Sequence, residues 1–97
     1  MMSGLSSSSI LIKNSKVIGQ VVEHEVVLVL LEKNQVKVLN EAGSRIWELV
    51  DGERSIVDIA NIICGEFEVS QQESLDDALI FLEELLFKGI VLLSSSR

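Results

Sequence analysis

The spacing of apolar residues changes once along this chain, at Asn40, and that switch limits the fold more than any motif does. Upstream, Val17–Val22 is rich in β-branched residues, and Glu23-His24 makes a polar break. Val26–Leu31 is a continuous apolar run, and Glu32-Lys33-Asn34 makes a second turn before Val36-Lys37-Val38-Leu39. Short β-branched segments separated by polar breaks predict an antiparallel meander of three strands. The middle segment is apolar on both faces, which an open sheet with one wet face would not need. Helices are expected on one side of it and a second subunit, in a homodimer, on the other.

Downstream of Asn40 the period is helical. Asn40 is a suitable N-cap, and Ala42, Ile46, Leu49 and Val50 form a stripe with Trp47 beside it, closed by Asp51-Gly52. Ser55 and Asp58 have the spacing of a capping box, and the helix they open carries Ile56, Ile59, Ala60, Ile63 and Phe67 at intervals of three and four. Ser70 and Glu73 open a third helix that runs to Lys88 and stops at Gly89. Ile90–Leu93 is a short apolar tail that returns to the sheet or the core. The predicted class is α+β: a winged helix-turn-helix, a three-stranded antiparallel sheet followed by three helices. Residues 1–13 read as a disordered, serine-rich N-terminal tail, 14–93 as the domain and 94–97 as a C-terminal tail.

With 97 residues there is room for one core and little else. No apolar run approaches the ~18–20 residues of a membrane span. The N-terminus lacks the basic and apolar regions of a signal peptide, so the cytoplasm is the expected address. Cys64 is the only cysteine and His24 the only histidine. Neither has a partner at metal-ligand spacing; Cys64 reads as a half-buried thiol on a helix and His24 as a solvated turn residue. No metal, cofactor or catalytic residue is expected.

A winged helix-turn-helix raises DNA binding through its third helix as the competing function. Charge argues against it. The chain has eight Lys and Arg against fifteen Asp and Glu, a net charge of −7, whereas nucleic-acid binders need a basic footprint. On the third helix Glu73, Asp76, Asp77, Glu83 and Glu84 oppose only Lys88. Acidic membranes are disfavoured for the same reason, and a peptide of basic or apolar character is the more natural partner.

The third helix and third strand offer a groove instead. At ~100° per residue, Leu75, Ala78, Leu79, Leu82, Leu85 and Leu86 form its core stripe. Glu73, Asp77, Glu84 and Lys88 gather on the far side. Ile80 and Phe87 stack on one edge, turned away from the core, and Phe81 occupies the opposite shoulder. In a simple meander Gln35, Val36, Lys37, Val38 and Leu39 form an edge strand with unpaired backbone groups, protected only by Lys37. An extended peptide can pair there by strand addition, resting against Asp77, Ile80, Phe81 and Glu84.

Leu39-Asn40-Glu41-Ala42-Gly43, then Ile46-Trp47-Glu48-Leu49, then Asp51-Gly52-Glu53-Arg54-Ser55 resemble the leucine-asparagine…aspartate-glycine signature of the PqqD-like family, named for pyrroloquinoline quinone biosynthesis protein D. Asp77-Ala78, Phe81-Leu82, Leu85 and Gly89-Ile90 match its closing helix. The resemblance covers Val17 to Leu93. It implies a RiPP recognition element, a non-catalytic module that binds the leader of a ribosomally made precursor peptide and presents it to a modifying enzyme. The leader would add as a strand beside the third strand. Ala78 is smaller than the family's usual branched residue, and the strands lack the aromatic-rich stretch of lasso-peptide members. The modifying enzyme stays open among a radical S-adenosylmethionine enzyme, a leader peptidase and a cyclase.

Overall fold

The computed structural model of the chain describes residues 4–94. The order is β1 (Leu11–Lys13), β2 (Val17–Val22), β3 (Glu25–Leu30), a 3-10 turn (Leu31–Lys33), β4 (Gln35–Val38), α1 (Glu41–Leu49), α2 (Ile56–Phe67), α3 (Gln71–Phe87) and β5 (Val91–Leu93). The expected meander is the sheet β2-β3-β4, antiparallel throughout. Its turns use backbone that few side chains tolerate: Glu23 has φ 60° and Asn34 φ 55°.

Helix starts follow the side chains that close them. The Asn40 side chain accepts from the Gly43 N–H at 2.8 Å. Ser55 and Asp58 exchange both bonds of a capping box, satisfying two donors that a helix start leaves orphaned. At Ser70 only half of the arrangement forms: its hydroxyl accepts from the Glu73 N–H. Gly52 and Gly89, at φ 81° and 76°, follow the helices they were expected to end.

The inner face of β3 contributes Val26, Leu28 and Leu30 to the core. Ile46 and Leu49 of α1, Ile56, Ile59, Ala60 and Ile63 of α2, and Ala78, Leu82 and Leu85 of α3 cover them. Ser74 is buried between helices and donates to the Ala60 carbonyl at 2.7 Å. Trp47 lies against Gly19 of β2, where any Cβ would meet its ring, and Lys13 sits 4.2 Å above that ring.

The N-terminal tail requires a correction. Residues 1–3 lie outside the described residues, but Leu11–Lys13 is a strand, paired antiparallel with β5 from Leu11↔Leu93 to Lys13↔Val91. Leu11 is 2% exposed. The Ser7 and Ser9 carbonyls accept from the Val57 and Ile56 N–H groups at the start of α2. The domain therefore reaches upstream of residue 14, because β5, which follows the last helix, supplies the pairing partner that the segment lacks locally. Ser94 donates to the Ile10 carbonyl at 2.9 Å, and the rest of the predicted C-terminal tail, 95–97, lies outside the described residues.

Candidate functional site

The site begins with the way β4 pairs. Val27 lies opposite Val38, Leu28 opposite Lys37, Val29 opposite Val36 and Leu30 opposite Gln35. The next pair up is Leu39 with Val26, and there the Leu39 N–H donates to the Val26 carbonyl at 2.9 Å. Antiparallel ladders alternate bonded and non-bonded pairs, so Lys37 and Gln35 bond to β3 while Val36 and Val38 do not. The N–H and C=O of Val36 and Val38 therefore point outward along the free edge. Their side chains share the face opposite the core and are 64% and 59% exposed.

Ser44 of α1 ends this strand. Its buried hydroxyl accepts from the Val26 N–H at 2.7 Å and donates to the Leu39 carbonyl at 3.1 Å. The hydroxyl thus stands where the ladder's last direct bond would form, and β4 stops at Val38. Leu39, expected on the open edge, is instead a core residue, 2% exposed, with its N–H already used.

The inner side of β4 faces α3. Lys37 donates to Glu84 at 3.1 Å across the gap, so Glu84 is more than a solvated charge. Lys88 and Lys37 line one open recess of about 360 Å³ with Gln35 and Val36. Phe81 is half-buried, its ring close to Gly43 at the start of α1. From Gln35 towards Gly43, then, the facing residues run from Lys88 at the C-cap of α3 to Glu84 and Phe81 on it, and helix and strand are antiparallel. Asp77 is exposed one turn further on. Ile80, 68% exposed, and Phe87, 91% exposed, stand clear of the core as expected.

A second recess, of about 220 Å³, opens at the β2–β3 turn between Glu23, His24, Glu41, Arg45, Glu48 and Glu66. Arg45 is occupied there, with two bonds of 2.9 Å to Glu66 and one contact of 3.5 Å to Glu48. Hydrogen bonding from Arg45 holds the Glu66 carboxyl below the usual range. Cys64 is half-buried and donates to the Val69 carbonyl at 3.1 Å. Among the described residues no group of three or more His, Cys, Asp or Glu is placed to hold a metal, and no helix is long and apolar enough to cross a membrane.

Sequence reasoning placed β4 and α3 side by side but missed Lys33 and Lys88 as groove residues and Ser44 as its end-stop. The lysines are 55 positions apart, and nothing local links them. Ser44 reads as an ordinary helix residue until its burial is known.

Fold and edge together define a winged helix-turn-helix domain whose meander leaves the β4 edge open beside an acidic helix. The chain belongs to the PqqD family: the profile of coenzyme PQQ synthesis protein D matches residues 25–91. Among solved structures it is similar to TbiB1 in complex with the TbiA(beta) leader peptide, at 28% identity and a TM-score of 0.76, covering 89% of this chain and 98% of that one. Lasso peptide synthetase B1 complexed with the leader peptide shares the fold at 18% identity and a TM-score of 0.76, over 84% and 96% of the two chains. So does the PqqD truncation of Methylobacterium extorquens PqqCD, a functional and stand-alone RiPP recognition element, at 22% identity and 0.76, over 92% and 95%. No curated protein matches the chain. The α+β winged-helix class and the family resemblance read from the sequence are both borne out.

Proposed function

We propose that this chain is a RiPP recognition element: it binds the leader segment of a ribosomally synthesised precursor peptide and presents it to a modifying enzyme of the same pathway in natural product biosynthesis. One observation carries the reading, the outward-pointing backbone of Val36 and Val38 beside α3. Strand addition uses such an edge, with backbone bonds giving affinity and alternate side chains selectivity. Family membership and the leader-bound relative TbiB1 support it. In this reading the chain is cytoplasmic and non-catalytic, and the acidic α3 disfavours the DNA-binding alternative. The partner enzyme is a radical S-adenosylmethionine enzyme, a leader peptidase or a cyclase. A homodimer would form through the outer sheet face, to which Val36 and Val38 also contribute their side chains.

The test is a titration of the fluorescein-labelled leader of a candidate precursor peptide, followed by fluorescence anisotropy. Val36→Pro and Val38→Pro each remove an outward N–H while sparing the β3 ladder, as proline does on edge strands. Both variants are expected to stay folded by circular dichroism and to bind at least tenfold more weakly. Ile80→Asp tests the exposed flank of α3 without touching the core. Phe81→Asp is expected to unfold the domain partly, since that ring packs over Gly43. Unchanged affinity in both proline variants would remove the edge from consideration.

A further inference from the structure

Five lysines serve this acidic chain, and three of them meet at one end of the β4–α3 groove. Lys33 reaches from the 3-10 turn to the Lys88 carbonyl, 3.0 Å away. Lys88 shares the recess beside Gln35 with Lys37, and with Lys16 and Lys33 it lines an adjoining one. Two carboxylates are close by, and each is occupied: Glu32 pairs with Lys16 at 2.9 Å and Glu84 with Lys37 at 3.1 Å. Lys33 and Lys88 have no carboxylate partner among the described residues. The opposite end of the groove has the other sign, since Asp77 lies there and Glu73 is one turn beyond. A chain of net charge −7 thus concentrates unpaired positive charge where the β4 edge begins.

We propose that this lysine end takes a carboxylate side chain of the bound peptide, so that the leader carries an aspartate or glutamate on its α3-facing side opposite Gln35. The inference rests on the leader-binding reading and refines the expectation of a basic or apolar partner drawn from net charge. Net charge sets long-range steering, whereas the residue seated in the groove meets the charges within a Debye length of ~8–10 Å. An acid at the far end would face Asp77, so the same arrangement sets the register and direction in which the strand is added.

A random twelve-residue peptide library displayed on its encoding RNA and selected against the full chain tests this. Enriched peptides are expected to lose binding to Val38→Pro and to concentrate Asp or Glu towards one end. Against such a peptide, Lys33→Gln and Lys88→Gln are each expected to weaken binding about two- to fivefold at low salt, the range of single exposed ion pairs, with the difference shrinking at high salt. Lys88→Glu is expected to select basic residues at that position instead. Peptides that need the Val38 N–H but show no excess of acids would overturn the lysine-end assignment and leave the groove in place. Peptides indifferent to Val38→Pro would overturn the groove and this inference with it.

Discussion

Ser44 does at the scale of one side chain what usually takes a turn. Its hydroxyl joins β3, β4 and α1 by occupying the position of a ladder bond, and it does so in the interior, where an unmet N–H costs about 1–3 kcal/mol. Ser44→Ala is expected to destabilise the domain by that amount in urea unfolding. A cost near zero would mean that Val26 and Leu39 close directly on each other. Asp51 has a comparable role at the surface. N–H bonds from Arg54 and then Glu53, with the Arg54 guanidinium beside it, hold its carboxyl below the usual range. A carboxyl depressed on folding stabilises the native state above its unfolded pKa of ~4, and that contribution disappears as pH falls through the folded value. The urea midpoint is therefore expected to be level from neutral pH down to about pH 5 and to drop below about pH 4. Asp51→Asn should make that drop shallower; an unchanged acid limb would assign it to other carboxyls, Glu66 first.

Among the elements, β1 is the one whose importance exceeds its length. It spans Leu11–Lys13, yet it pairs with β5, buries Leu11 and holds the Asp51-Gly52 turn, where the Gly52 N–H donates to the Leu11 carbonyl at 3.0 Å. That bond gives the aspartate-glycine pair a structural purpose: glycine takes φ 81° and turns its N–H to the strand. A chain beginning at Asn14 is expected to unfold at much lower urea than the full chain, and Leu11→Ala alone to cost about 2–5 kcal/mol, as for other buried leucines. Equal stability of the shortened chain would reduce β1 to an ornament of the N-terminus. The exposed elements contrast with it. Ile80 and Phe87 protrude from α3, outside the core.

For the whole molecule, the outer sheet face is the feature with consequences. Ile18, Val22, Val36 and Val38 are exposed there, with Val27 and Val29 half-buried between them. Three short strands cover well under the ~800 Å² per partner of a stable interface, so the homodimer through this face is expected to be weak. Light scattering over a dilution series should show a mass that rises with concentration, and Val36→Thr with Val38→Thr should flatten the rise. A monomer at every concentration would remove the homodimer.

Local periodicity and capping chemistry determined most of this architecture from the sequence alone. The β-branched runs, the polar breaks and the Asn40, Ser55 and Ser70 caps are signals that act within a few residues, and each element they announce is present. Helical spacing likewise turned Ile80 and Phe87 outward, because rotation about a helix axis needs no knowledge of neighbours. Contacts between distant segments were decided only in three dimensions. A three-residue strand has too little pattern to be read until β5 arrives to pair with Leu11. Leu39 and Val38 look alike in sequence, but ladder alternation points the backbone of one inward and of the other outward. The lysines at the groove's end belong to three different elements, and their meeting is a property of how β4 lies antiparallel to α3. Charge could be counted along the chain; only the packing of helix on sheet decided where it would be concentrated.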